Sequence, residues 1–295
     1  MKVLLVGGCG YVGSYLYDKL KELDFDVKVS DIFTRGNPMG IQVAFANYAL
    51  ISIDDLAGFD AVLWFGGHSS VPSAVSDPIG ALENNAMELY KFRLRLPERC
   101  RFIYASTASL YSINGKKPTK LFSNEESLVS IPAQNPYDCS KFIFDYISEN
   151  FLPPCYCLRM GTLAGFSPNL RKELLFNAMS LSASTRRQIY LRNATAQRTI
   201  LYLADLWTVV YEILVGEQEA GVFNVGSYSG SIGEFAESIA NAWDAEIVRQ
   251  DDTPTYSFML DTSRIKSFCG DFLVSESLAD MSRRFVEQYR KAGAK

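Results

Sequence analysis

Residues 2–6, KVLLV, form an unbroken apolar run of strand length, the pattern expected where a strand is covered on both faces. A glycine cluster, GGCGYVG, follows, and SYLYDKLKEL at 14–23 then carries apolar residues at helical spacing. DVKVSD (26–31) reads as a second strand ending in an acid, with AVLWF (61–65) and RFIYAS (101–106) as further buried strands. A helical stretch, IGALENNAMELYKF (79–92), separates the last two, and a helix beginning near Tyr137 leads into CYCLR (155–159). Strand and helix alternate through this half, which predicts right-handed βαβ units on a parallel sheet. Beyond Gly165 the pattern loosens. Helices are expected at 170–183, 204–215, 232–243 and 277–291, with short strands near 189–191, 222–225 and 246–248. The expected fold is α/β: a doubly wound parallel sheet over 1–165, with returns near 189–225, and a smaller C-terminal α/β part over 166–295. No repeat or linker divides the two, so they are expected to pack tightly.

Composition narrows the function. The chain of 295 residues is 48% hydrophobic and 21% charged, the profile of a soluble globular protein. Its net charge of −4 gives no basic footprint for nucleic acid or for an anionic membrane surface. From Arg171 to Arg198, however, six basic residues (Arg171, Lys172, Arg186, Arg187, Arg192, Arg198) face one acid, Glu173, a local charge of +5. That stretch fits a small anionic ligand or a solvated helix face, and the sequence leaves both open. Six cysteines, at 9, 100, 139, 155, 157 and 269, lack metal-ligand spacing and suit a reducing, cytoplasmic setting. No metal site is expected. The single histidine, His68, argues against a histidine-based metal centre or a Ser–His triad. No apolar run nears the ~20 residues of a membrane helix, and Met1-Lys2 leads straight into a strand without a signal peptide.

Gly7-x-x-Gly10-x-x-Gly13 lies between a strand and a helix. In that setting glycines permit a tight turn and a close approach of backbone to a pyrophosphate, which then meets the helix N-terminus at Tyr11 and Val12. Asp31 ends the second strand 18 residues after Gly13. A carboxylate there accepts from ribose hydroxyls and repels a 2′-phosphate, so NAD is the expected cofactor. Arg35 lies near enough to soften that preference.

Tyr137 and Lys141 share one helix face just after Pro136, in NPYDCSK. By itself the pair fits a surface turn. Beside a nicotinamide it fits catalysis: a phenol base at neutral pH needs stabilisation of roughly three pKa units, about 4 kcal/mol. An ammonium one turn away and a cationic ring can supply much of it. YASTASLY (104–111) follows a strand and offers Ser106, Thr107 and Ser109 as partners for a substrate hydroxyl, or as strand-end caps.

Taken together, these motifs resemble the extended short-chain dehydrogenase/reductase family, and within it the nucleotide-sugar epimerases and dehydratases. The resemblance rests on the glycine loop, Asp31, GGHSSVPSAVSDP (66–78), Asn85, ASTASLY, Tyr137 with Lys141, and LRMGTLAG (158–165). QRTILYLAD (197–205), FNVGS (223–227) and LDTSR (260–264) extend it nearly end to end. It implies Thr107, Tyr137 and Lys141 as the catalytic set, with Tyr137 as base and Lys141 also holding the nicotinamide ribose. It implies Gly66 and Gly67 beside the cofactor and Arg198 on a substrate diphosphate. A homodimer through helices at 79–92 and 137–151 follows from the same likeness.

Departures shape the expected reaction. The dehydratases follow the catalytic threonine with an Asp-Glu pair, whereas Ala108 and Ser109 stand here, as in the hexose 4-epimerases. FANYAL (45–50) replaces the usual Gly-Asp-hydrophobic stretch, leaving Asn47 and Tyr48 as candidate adenine neighbours. Thr162 occupies a common asparagine position. Asn169, Leu170 and Asn177 are further candidates for binding the nucleotide or sugar. His68 fits either a structural hydrogen bond or a place near the cofactor. The expected activity is NAD-dependent epimerisation of a nucleotide-activated sugar. A reductase or dehydrogenase is the alternative, and a non-catalytic NAD-binding scaffold the third reading.

Overall fold

The structure, a computed structural model, describes residues 1–112, 122–128, 135–270 and 276–293. Six parallel strands form the main sheet, in the order Gly221–Val225, Cys155–Met160, Arg101–Thr107, Ala61–Trp64, Lys2–Val6, Asp26–Ser30. Period-two alternation explains the apolar runs. Val3 and Leu5 face a core shared with the helices Tyr11–Glu22 and Leu203–Val215. Leu4 and Val6 face an opposite core built around Trp64, Phe92, Phe102 and Phe144, beneath the helix Pro136–Phe151. With both faces covered, most inner positions are apolar.

Chain order reverses beside the first strand. The path goes from Lys2–Val6 outward to Asp26–Ser30 and then back across to Ala61–Trp64. At such a switch point the loops after the strands part and leave a crevice. Gly7 and Gly66 both stand there.

The C-terminal part adds a three-stranded sheet in which Gln197–Tyr202 is flanked by Tyr228–Ser231 and Thr162–Ala164. Helices Leu175–Arg186, Ile232–Trp243 and Leu278–Gly293 bury Phe176, Phe235 and Phe285 against one another. Of the stretch 189–225 expected to return to the main sheet, Gly221–Val225 does so. Gln188–Leu191 pairs instead with Glu246–Arg249. The helix expected at 170–183 begins at Leu175, because Asn169 and its neighbours are tied to the glycine loop. The helix expected at 79–92 is broken by a π-helical turn, Glu83–Met87. There Asn85 turns inward, and its amide donates to the His68 carbonyl and to Ser140 Oγ.

Candidate active site

Gly7 has a φ of +80°, and a Cβ on it would lie 2.6 Å from the Gly66 nitrogen. A Cβ on Gly13 would lie 2.0 Å from the Gly7 carbonyl. Only glycine closes this loop. Gly10 caps the helix Tyr11–Glu22 without a side chain, so the first-turn amides keep no side-chain partner and can serve an anion. Asp31 accepts from the backbone amides of Cys9 (2.9 Å) and Phe33 (2.6 Å), which fixes its carboxylate while leaving lone pairs for a ribose. A cavity of about 550 Å³ runs from these residues past Tyr48, Gly66, Gly67 and His68 to Tyr137 and Lys141. Its glycine-walled end would be filled by any side chain, so the residues present fit a dinucleotide.

A second cavity, about 180 Å³, is lined by Thr107, Ser109, Thr162, Arg198, Tyr256 and Phe258, among others. Tyr137 and Met160 line both cavities. The tyrosine therefore stands where a cofactor and a substrate would meet.

Local sequence puts it there. Asn135 caps the helix by accepting from the Asp138 amide, and Pro136 occupies the first turn, so Tyr137 starts the helix at the cavity wall. One turn on, Lys141 is buried and its Nζ donates to the Ala105 carbonyl at 2.8 Å. Burial pushes the ammonium down to about 8, against the pull of the nearby Asp145 carboxylate. Burial likewise pushes the Tyr137 phenol up to about 12, and the neighbouring Asp138 charge adds to the rise. Alone, the protein keeps this phenol neutral at pH 7. The neighbouring Thr107 hydroxyl works against that rise.

Arg198 is buried with its Nη1 donating to the Gln197 carbonyl and Nη2 to Thr255 Oγ1. Its guanidinium lies 5.3 Å from the Phe258 ring centroid, and burial pushes it down to about 10. No carboxylate forms an ion pair with it among the described residues. Such a cation calls for an anion.

Not every candidate reaches a cavity. Asn47 is exposed, and its side chain accepts from the Ala49 amide, capping a 3₁₀ turn. Asn169 Nδ2 donates to the carbonyls of Cys9 and Arg35, and Leu170 packs into the cores, so both hold the loop rather than line either cavity. Asn177 accepts from the Gly165 amide and donates to Tyr11 Oη, another structural tie. His68 does both things open to it: it lines the larger cavity and contacts Asp77 at 3.3 Å. The structure adds Arg171, Ser69 and Ser73 to the larger cavity, and Tyr256 and Phe258 to the smaller one. Arg171 had a signal in the basic stretch; the two aromatics, in an irregular segment, had none. Among the described residues no cluster of acid, cysteine and histidine side chains could hold a metal ion.

Residues 3–226 match the NAD dependent epimerase/dehydratase family. The chain belongs to that family. A UDP-glucose 4-epimerase of Halalkalibacterium halodurans is 25% identical over 78% of this chain and 76% of its own length. One from Mycoplasma genitalium is 27% identical over 56% of this chain and 53% of its own. Among solved structures, a UDP-glucuronic acid 4-epimerase of Bacillus cereus, with UDP-glucuronic acid and NAD, superposes with a TM-score of 0.80. It is 20% identical over 99% of each chain. An NAD-dependent NDP-hexosamine 5,6-dehydratase of tunicamycin biosynthesis fits similarly, at 0.79 and 20% identity over 98% of each chain. At these identities the superpositions show the fold.

Proposed function

We propose that this NAD-dependent protein is an epimerase of a nucleotide-activated sugar. Tyr137 takes a proton from a sugar hydroxyl as the same carbon is oxidised, and Thr107 holds the reacting oxygen. When bound in the larger cavity, NAD would supply the acceptor and donor for the hydride at that carbon. After the keto sugar turns over in the smaller cavity, Tyr137 gives the proton back. Lys141 and Asp31 would hold the two ribose rings, and Arg198 would meet the diphosphate.

One observation favours epimerisation over dehydration. Among the described residues, none that lines the smaller cavity carries a carboxylate. Eliminating water needs an acid for the departing hydroxyl and a base for the neighbouring C–H, and Ala108 and Ser109 supply neither directly. The relatives named UDP-glucose 4-epimerase support the same reading. The decisive experiment incubates the purified protein with a panel of nucleotide sugars and follows products by NMR, using substrate deuterated at the inverted carbon. Epimerisation keeps deuterium in the product and needs no added NADH. Deuterium in released NADH, with oxidised sugar accumulating, would instead mean a dehydrogenase.

A homodimer is part of this reading. Ile79, Leu82, Met87, Tyr146 and Phe151 are exposed on the segment 78–95 and the helix Pro136–Phe151, which pack together. Among the described residues no helix is long and apolar enough to cross a membrane, and all six cysteines are unpaired, which supports a cytoplasmic setting.

A further inference from the structure

One segment of the C-terminal part spans the loops that build the larger cavity. Residues 165–171 follow the short strand Thr162–Ala164 and touch, in turn, the loops after the first, second and third strands of the chain. Tyr11 Oη donates to the Gly165 carbonyl at 2.7 Å, and Ser167 Oγ donates to the Tyr11 carbonyl at 2.6 Å. Asn169 Nδ2 donates to the carbonyls of Cys9 (2.7 Å) and Arg35 (3.0 Å). Arg171 Nη1 then reaches the Ser69 carbonyl at 3.4 Å. Asn177, fully buried, closes the segment at both ends: it accepts from the Gly165 amide and donates to the Arg171 carbonyl, each at 3.0 Å. Arg171 is thereby fixed at the cavity wall.

Among the described residues, three cations line that cavity: Arg35, Lys141 and Arg171. Lys141 is committed to the Ala105 carbonyl near Tyr137, and Arg35 stands four residues beyond Asp31, at the other end. Arg171 acts on both ends. Burial and then the Arg171 charge hold Arg35 below its usual value, and the same charge works against the burial-driven rise of the Tyr137 phenol. Arg35 and Arg171 also converge on one residue, since Arg35 Nη2 lies 3.4 Å from the Ser69 hydroxyl. Glu173, itself exposed, accepts from Arg171 Nε at 2.7 Å, which leaves the outer nitrogens only the long contact to Ser69. Two guanidinium groups gathered on a neutral serine favour an anion between them. A dinucleotide carries its two negative charges at its middle, in the pyrophosphate. The first-turn amides of the helix Tyr11–Glu22 offer roughly half a unit charge, and the loop from Gly7 to Gly13 has no cationic side chain.

We propose that Arg171 is a cofactor-binding residue, held by the segment 165–171 so that its guanidinium pairs with the pyrophosphate of the dinucleotide and slows its release. The inference rests on the dinucleotide occupying the larger cavity and does not depend on which sugar reacts. It also divides the basic stretch. Of its six cations, Arg171 and Arg198 alone line either of the two cavities, one each. An enzyme that oxidises a sugar and then reduces it needs one dinucleotide to stay for both halves of the reaction. A cation delivered by the C-terminal part serves that retention.

The test measures binding with no sugar present, by calorimetry and by the rate at which bound NAD leaves on dilution. Arg171→Ala should weaken NAD and ADP-ribose alike, by about tenfold, the worth of one charge-assisted bond to phosphate in a partly exposed site. Most of the change should lie in the release rate. Adenosine, which lacks phosphate, should bind as it does to the wild type. Arg171→Lys should fall between, since a point charge replaces the fork. Unchanged affinity for NAD and ADP-ribose in Arg171→Ala overturns the proposal, and so does an equal loss for adenosine, which would mean a distorted cavity. Uridine diphosphate supplies the other arm: if it loses affinity while NAD does not, the arginine serves a substrate diphosphate and the proposal falls. Should Arg171→Ala not fold, Glu173→Gln decides. With its carboxylate partner gone the guanidinium is free for phosphate, and NAD and ADP-ribose should bind severalfold more tightly; unchanged binding in that variant overturns the proposal. Failure of every sugar to react would dismiss the epimerase reading and leave this measurement standing.

Discussion

The two cavities that share Tyr137 are built by opposite means. The larger has walls of main chain and glycine: a Cβ on Gly7 or Gly13 would meet neighbouring backbone at 2.6 or 2.0 Å, and Gly66 is the neighbour of Gly7. The smaller has walls of side chains, Thr107, Thr162, Arg198, Tyr256 and Phe258, carried by four separate segments. Backbone geometry follows from the βα switch point and admits few variants. Side chains can be exchanged without disturbing the sheet. Such a division lets one fold keep its cofactor while its substrate changes, and it locates where specificity must reside.

The sharpest break of this comparison removes the reactive group common to both cavities. Tyr137→Phe deletes one oxygen and keeps the ring, so folding and NAD binding should survive while turnover falls by roughly 10² to 10⁴, the worth of a positioned acid–base group. Steady-state kinetics beside an NAD titration checks it. Full activity in the variant would return Tyr137 to the role of a turn residue.

Arg198 tests the side-chain wall alone. Arg198→Ala should raise the substrate KM by about 10- to 100-fold, the worth of a charged hydrogen bond lost to a buried anion. The NAD dissociation constant should stay put, because Arg198 lines only the smaller cavity. Equal losses for both ligands would mean that the two cavities are not independent.

Legibility in the sequence follows the same division. Buried parallel strands announce themselves as apolar runs, and the glycine spacing has one steric explanation, so the order of residues alone outlines the larger cavity. Gln197–Tyr202 shows the limit. It is buried at every position, yet it begins Gln-Arg-Thr because its polar side chains bond inward: Arg198 to Thr255, and Thr199 to Ser229. No period-two signal survives that. Asn47 misleads for a related reason, since a short polar side chain bonds its own turn as readily as a ligand. In the sequence Asp138 resembles any first-turn acid. Its burial comes from Ser109 and Tyr256, which lie 29 and 118 residues away in the chain.

Lys141 gives a smaller effect, read through pH. Burial has lowered its ammonium to about 8, so in the NAD-free protein the charge is present below that value and is lost as pH rises through it. NAD affinity should therefore weaken severalfold between about pH 7 and 9, because a ribose donor and a cation near the phenol disappear together. Lys141→Met should bind NAD more weakly at pH 7 and show a flat profile. Retention of the wild-type slope in that variant would assign the titration to another group.

The last effect concerns the far end of the larger cavity, and it asks whether the backbone wall is as indifferent as its glycines suggest. Among the described residues that line that cavity, Asp31 is the one carboxylate. Two backbone amides already hold it, so it cannot swing away from an incoming 2′-phosphate. Repulsion should make NAD bind at least tenfold more tightly than NADP, about 1.4 kcal/mol. Arg35 works against this, since it lines the same cavity and reaches toward Ser69 at 3.4 Å, close enough to offer a phosphate some compensation. Calorimetric titration of Asp31→Asn should bring the two affinities together, and Arg35→Ala should widen the gap in favour of NAD. A wild-type protein that binds both equally would show that the arginine, not the carboxylate, governs this end of the site.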